Sequence, residues 1–246
     1  MRNIWTVYRR EVGTYFDSPI AYIFIVLFVL IQAFLFFVVN DFFGMPYPDV
    51  RGYYGFLPWV FAVFIPAVTM RLWSEEKRAG TIELLMTSPF KSWELVVAKF
   101  LAAYTVIVVS LFLTILVPIS VDFVMDFDWN IVFATYVGAL LMASVYIALG
   151  AWISTLTQNQ IVALLVSVTC CFLIAFLGSP RVIDFLNGVG EGIGWKLGTF
   201  VGWFGTYGHF QEFTRGLINP VDLIYALSLT AFFLTLNNVF VEGRKY

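Results

Sequence analysis

Charge is scarce in this 246-residue chain: 12% of residues are Asp, Glu, Lys or Arg, against a soluble average of about 25%. So few charges cannot cover the wet surface of a soluble domain this size. They also exclude disorder, which needs low hydrophobicity and high net charge. There are two cysteines, Cys170 and Cys171, adjacent in an apolar run, so a disulfide framework is not expected. One histidine, His209, leaves little room for a polyhistidine metal or haem site. The net charge of −2 carries no basic excess, which argues against nucleic acid as a partner. A phosphate-binding G-x-x-x-x-G-K-[ST] loop is missing too. The nearest string, GVGEGIGWK from Gly188 to Lys196, has the wrong spacing and no Ser or Thr after its lysine. ATP hydrolysis is therefore not expected in this chain, and no catalytic, cofactor-binding or metal-binding residue is assigned.

Apolar residues fill the space: 61% of the chain is hydrophobic and 19% aromatic. Charge-free stretches run over 18–40, 52–70, 100–121, 129–180 and 223–241. A span needs about 20 apolar residues, so the 52-residue run 129–180 holds two helices, with Thr155–Gln160 as the turn between them. The pattern predicts an all-α integral membrane protein with six spans near 20–40, 56–73, 94–120, 130–154, 160–178 and 220–241. The runs are continuous rather than alternating, which favours helices over a β-barrel. With both termini inside, ten Lys and Arg fall on the inner segments and four on the outer, following the positive-inside rule.

Residues 1–19 form an expected interfacial helix. Ile4, Trp5, Tyr8, Val12, Tyr15 and Phe16 share a 120° arc at 100° per residue, with Arg2, Arg9 and Arg10 outside it. Anchoring of the first span is the simpler role, and partner docking by the basic face a compatible one. Residues 71–93 form an expected cytoplasmic hairpin carrying Glu75, Glu76 and Lys77. Gly80 is placed to end a helical turn in the left-handed region. Thr81 is an N-cap type, Glu83 a first-turn acid, and Ser88-Pro89 a stop for a short helix over 82–87. That helix presents Leu84, Leu85 and Met86, suited either to a groove on a partner or to padding the bilayer interface. Ser92 is the next expected cap, with Glu94 just inside the third span.

The string SEEKRAGTIELLMTSPF resembles the coupling segment of permease subunits of the type-2 ABC exporter family, with its E-x-x-x-G-T-x-E-x-L-x-x-x-P signature at Glu76, Gly80, Thr81, Glu83, Leu85 and Pro89. The likeness continues through Trp59–Lys77, Ser154–Ala163 and Thr214–Ser228, and is similar to the gliding-motility-associated, GldF-like branch. The resemblance implies a single permease domain that pairs with a second permease chain and two cytoplasmic ABC ATPase subunits, which hold the ATP and Mg. It also implies residence in a bacterial plasma membrane, and leaves room for an accessory envelope protein. The second cytoplasmic hairpin, Thr157, Gln158, Asn159 and Gln160, lies on the same side. The loop 178–219 matches only loosely.

That outer loop contains ten of the 18 glycines, with Gly194, Gly198 and Gly202 at intervals of four among aromatics. Small residues at that spacing let helices approach closely, so short re-entrant or interfacial helices are expected there, with gating as one role and plain packing as another. Asn219-Pro220 is an expected start for the last span. His209 and Glu212, three apart, could share a helix face as two metal ligands, but no further ligand or group to orient them is identifiable, and a surface or interfacial histidine is the favoured reading. Asp122, Asp126, Asp128 and Asp222 read as solvated loop or helix-end carboxylates. Three function classes result: an ABC permease subunit; a membrane component that transmits ATPase-driven change to envelope proteins without transport; and, more distantly, a membrane enzyme. Span midsections without ionisable residues argue against an ion-coupled carrier.

Overall fold

The computed structural model describes residues 2–44, 51–82, 90–123, 128–190 and 197–243. Among these the chain is helical: α1 (Arg2–Phe16), α2 (Pro19–Phe34), α3 (Arg51–Gly55), α4 (Leu57–Thr69), α5 (Arg71–Arg78), α6 (Ser92–Thr114), α7 (Leu116–Asp122), α8 (Trp129–Ser154), α9 (Gln160–Leu177), α10 (Pro180–Gly190), α11 (Leu197–Gly202), α12 (Thr206–Thr214) and α13 (Pro220–Glu242). Six segments are long and apolar enough to span a membrane: 21–39, 57–78, 92–122, 129–154, 160–177 and 220–242. Each matches an expected span, and the protein is an all-α integral membrane protein. The end of the bundle carrying α1, α5 and the 155–159 turn is called the basic end below, and the opposite one the distal end.

Side chains account for the interruptions. Pro118 cannot donate to the Thr114 carbonyl, so the third span breaks into α6 and α7 there. Tyr53 Oη donates to that freed carbonyl at 3.4 Å. The first span ends in a π-helical turn over Leu35–Val39, closed by Asn40 N–H to Leu35 O at 2.9 Å. Asn159 caps α9 through Ile161 N–H at 2.9 Å, and Asn219 caps α13 through Val221 N–H at 3.1 Å, with Pro220 following as expected. The expected cap at Ser92 is corrected: Lys91 is the N-cap, extended at ψ 144, and Glu94 reaches back to its N–H at 3.1 Å. A residue three positions into the helix is better placed for that bond than Ser92, which is already helical.

The α8 helix forms the centre of the bundle and is its most enclosed span together with 57–78. Small residues make this possible. A Cβ on Gly150 would sit 2.1 Å from Thr69 Oγ1, and one on Gly138 would sit 2.5 Å from the Phe213 ring. Helix axes approach that closely only where side chains are absent, and dispersion contacts then replace lipid contacts. By contrast α2, α9 and α13 turn apolar faces outward, with Leu30, Leu165 and Ile224 all exposed, as suits lipid-facing spans.

Candidate functional site

The most heavily charged buried contact lies at the basic end, where α1, α5 and α6 meet. Lys99, on the second turn of α6, is 2% exposed. Its Nζ lies 2.8 Å from Glu76 Oε1 and 3.2 Å from Glu11 Oε2, and 5.2 Å over the Trp73 ring. Arg10 extends the network to Glu11 at 2.9 Å and Glu76 at 3.9 Å. Burial pushes the Glu11 carboxyl up, but Lys99 and Arg10 outweigh it and hold it below its ordinary 4.5. A buried ammonium is tolerated only when paired, and here two carboxylates share it.

The next turn of α5 is fixed to α8. Ser154 Oγ accepts from the N–H groups of Trp73 at 3.1 Å and Ser74 at 3.2 Å, and donates to Met70 O at 2.9 Å. One hydroxyl has one donor and two lone pairs, and all three are used. Those two N–H groups would otherwise continue the helix of α4, so the Ser154 hydroxyl stands in the break between α4 and α5. Lys77 Nζ donates to Thr155 O, tying the same helix to the 155–159 turn.

Then α5 stops. Gly80 has φ +69°; its N–H donates to Lys77 O at 3.3 Å, and Thr81 N–H donates to Glu76 O at 3.0 Å. This is the Schellman arrangement expected of Gly80, and a side chain there would be strained even though the space around it is open. The Thr81 hydroxyl also donates to Glu76 O at 3.3 Å. Glu83, Leu84, Leu85, Met86 and Pro89 lie outside the described residues, as does the helix that Thr81 was expected to cap. Of the predicted coupling residues, Glu76 and Lys77 face into the bundle, and Glu75 is exposed beside Arg71 on a cleft of about 220 Å³. In the second hairpin, Thr157 Oγ1 accepts from Asn159 N–H at 3.1 Å, Gln158 is exposed, and Gln160 lies beside Arg71 and Glu75.

The α1 helix is amphipathic, and five residues of the expected arc, Ile4, Tyr8, Val12, Tyr15 and Phe16, pack against the core; Trp5 does not. Val7 and Tyr15 are buried, with Glu11 between them, while Trp5 is 62% exposed and Arg9 and Arg10 face outward. Val7 and Glu11 extend the packed face at one edge, where Glu11 meets the buried Lys99 ammonium. Tyr8 Oη meets Thr105 Oγ1 at 2.9 Å, and Tyr15 Oη donates to Val68 O at 2.9 Å beneath the Arg71 guanidinium. Glu11 and Lys99 were missed as site residues. The available signal was the spacing Val7, Glu11, Tyr15, an acid at i+4 inside an apolar stripe.

At the distal end, α10, α11 and α12 form the expected short helices. A Cβ on Gly198 would reach Ile183 O at 2.1 Å, and one on Gly205 would reach Gly178 N at 1.8 Å, so glycines do set the close approaches. Gly194 is outside the described residues. One reading, that of Asp222, is corrected here. His209 does not pair with Glu212, which goes to Arg215 at 3.1 Å; its Nδ1 lies 2.6 Å from Asp222 Oδ1. Asp222 is 5% exposed rather than solvated, because α12 folds over the first turn of α13. Among the described residues no three His, Cys, Asp or Glu side chains converge as a metal site.

Six apolar helices of membrane length, with the Lys99 cluster at the basic end, place the protein in the broad class of multi-pass membrane components. The family model of the ABC-2 family transporter proteins matches residues 52–191, 140 of the 246 (191 − 52 + 1). The chain belongs to that family, and is an ABC-type membrane component. No curated protein matches the chain.

Proposed function

We propose that this protein is the permease subunit of an ATP-driven exporter in a bacterial plasma membrane, with both termini cytoplasmic, and that separate ATPase subunits dock on its basic end. The observation that carries this reading is the position of Glu76. This signature residue sits in the Lys99 cluster, and its carbonyl closes α5 immediately before the segment 83–89. A force applied to that segment would thus enter α1, α6 and α8 through ion pairs and hydrogen bonds. Leu84, Leu85 and Met86 would fill a groove on the ATPase, with the 157–160 hairpin beside them and α1 lying in the membrane interface. A second permease chain, identical or related, would complete the pathway, and the GldF-like branch is the sub-family proposed. The outer helices would control exit at the distal end.

The test is Leu85→Asp at matched membrane levels of the permease. A charge in a desolvated contact weakens docking by a few kcal/mol, so ATPase co-purification and vesicle transport should both fall at least tenfold. Wild-type levels of both would refute the docking role. Loss of ATPase binding with no transport in the wild type would favour the alternative, a component that passes motion to other envelope proteins.

A further inference from the structure

The distal contact between α12 and α13 has a proton requirement that its geometry fixes. His209 is flanked by two acceptors. Its Nε2 lies 3.1 Å from the Trp203 carbonyl oxygen, which can only accept, so Nε2 carries a hydrogen. Its Nδ1 lies 2.6 Å from Asp222 Oδ1, a distance that requires a proton between the two atoms. A neutral imidazole beside an ionised carboxylate has one proton too few for both contacts. We propose that His209 and Asp222 form a buried proton-binding site, holding an imidazolium against a carboxylate at neutral pH.

Several features place the extra proton on the imidazole. An imidazole is intrinsically more basic than a carboxylate. Asp222 lies in the first turn of α13, where the helix dipole favours an anion. The His209 ring is stacked on the Tyr225 ring, with centroids 3.9 Å apart, which favours a cation on that face. Among the described residues lining the contact, the other polar groups are engaged elsewhere. Tyr225 Oη is committed to Phe204 O at 2.7 Å, and Tyr146 Oη to Thr206 Oγ1 at 2.8 Å. The α8 face opposite is apolar, formed by Gly138, Leu141, Met142 and Val145. Glu212 and Arg215 satisfy each other on the exposed side. Asp222 Oδ2 is buried beside a cavity of about 20 Å³, room for a single water as its remaining partner.

The site joins three pieces of chain: the turn after α11 through Trp203, α12 through His209, and the last span through Asp222. When the second proton leaves, a lone pair faces an acceptor on one side of the ring, and the contact becomes repulsive. The proton is therefore a ligand that holds the distal helices onto α13, and alkaline conditions on that face release them.

His209 is the only histidine in the sequence, so the full chain labelled with ¹⁵N-histidine reports one imidazole. In purified protein at neutral pH both ring nitrogens should carry protons. In Asp222→Asn, the amide can donate to a neutral Nδ1, so one of the two ring protons should be lost while the contact survives. Hydrogen exchange over 206–214, corrected for intrinsic rates, should accelerate as pH rises in the wild type and stay flat in Asp222→Asn. A single protonated nitrogen in the wild type at neutral pH overturns the proposal, and so does Asp222→Asn retaining both. The wild-type spectrum decides even if the variant fails to fold.

Discussion

Replacing Lys99 by Met keeps the length of the side chain and removes its charge. The consequence falls on the carboxylates: Glu11 and Glu76, 13% and 14% exposed at their side chains, lose the ammonium 3.2 Å and 2.8 Å away. Removing one partner of a buried ion pair costs about 3–5 kcal/mol, because the surviving charge stays desolvated. Arg10 remains near both acids and, although screened by water at 58% side-chain exposure, offsets part of the loss, so the lower part of that range is expected. A loss of about 3 kcal/mol is roughly a hundredfold in the folding equilibrium, and about 10 °C in the midpoint for a chain of this size. The midpoint is read by thermal unfolding of the purified protein in detergent or lipid. The triple variant Lys99→Met, Glu11→Gln, Glu76→Gln removes the stranded charges and should recover most of the midpoint. A wild-type midpoint for Lys99→Met, or no recovery in the triple variant, would refute the account of this cluster as a mutually dependent ionic joint.

Three further outcomes are expected. Ser154→Ala leaves the buried N–H groups of Trp73 and Ser74 without their acceptor and should cost about 1–3 kcal/mol in thermal or denaturant unfolding; a neutral effect would mean the α4–α5 break closes on its own. The Glu11 carboxyl is held below 4.5, so its contribution to stability is fully present above that value and is lost as pH falls through the lower folded-state value; Glu11→Gln should flatten this acid limb, and an unchanged limb would count against the pairing. Gly205→Ala forces a Cβ to within 1.8 Å of Gly178 N and should destabilise the protein by about 1–3 kcal/mol or more, whereas Gly188→Ala meets open space and should not; equal melting temperatures for the two would contradict the close approach.

The spans, the turn within 155–160 and the cap at Asn219 were legible because each depends on local pattern: an apolar run of membrane length, a polar cluster interrupting it, or a capping residue beside it. Gly80 was legible for the same reason, since a left-handed terminus is chosen by one residue. The sites built from distant residues were not. Glu11 and Lys99 stand 88 positions apart (99 − 11), and nothing near either one announces the other. Asp222 looked like an ordinary first-turn acid, and only the fold of α12 over α13 brings His209 to it. The packed face of α1 was legible at Ile4, Tyr8, Val12, Tyr15 and Phe16 from hydrophobic periodicity, whereas the place of Glu11 at its edge was not, because its partner Lys99 is distant in sequence.

The Ser154 hydroxyl in the break between α4 and α5 affects how the second span can move. An unbroken rod displaced at one tip must swing as a whole, and its far tip travels the opposite way. A rod jointed at Met70 has an independent lower limb, and here the joint's hydrogen bonds belong to the neighbouring helix α8. The pivot is thus owned by a different span from the limb that turns on it. If a docked partner works on 71–78 as proposed, the hydrogen bonds to Ser154 would pass part of that load to α8 near its end and leave α4 the remainder. The enclosed middle of the bundle would then stay packed while its basic end moves.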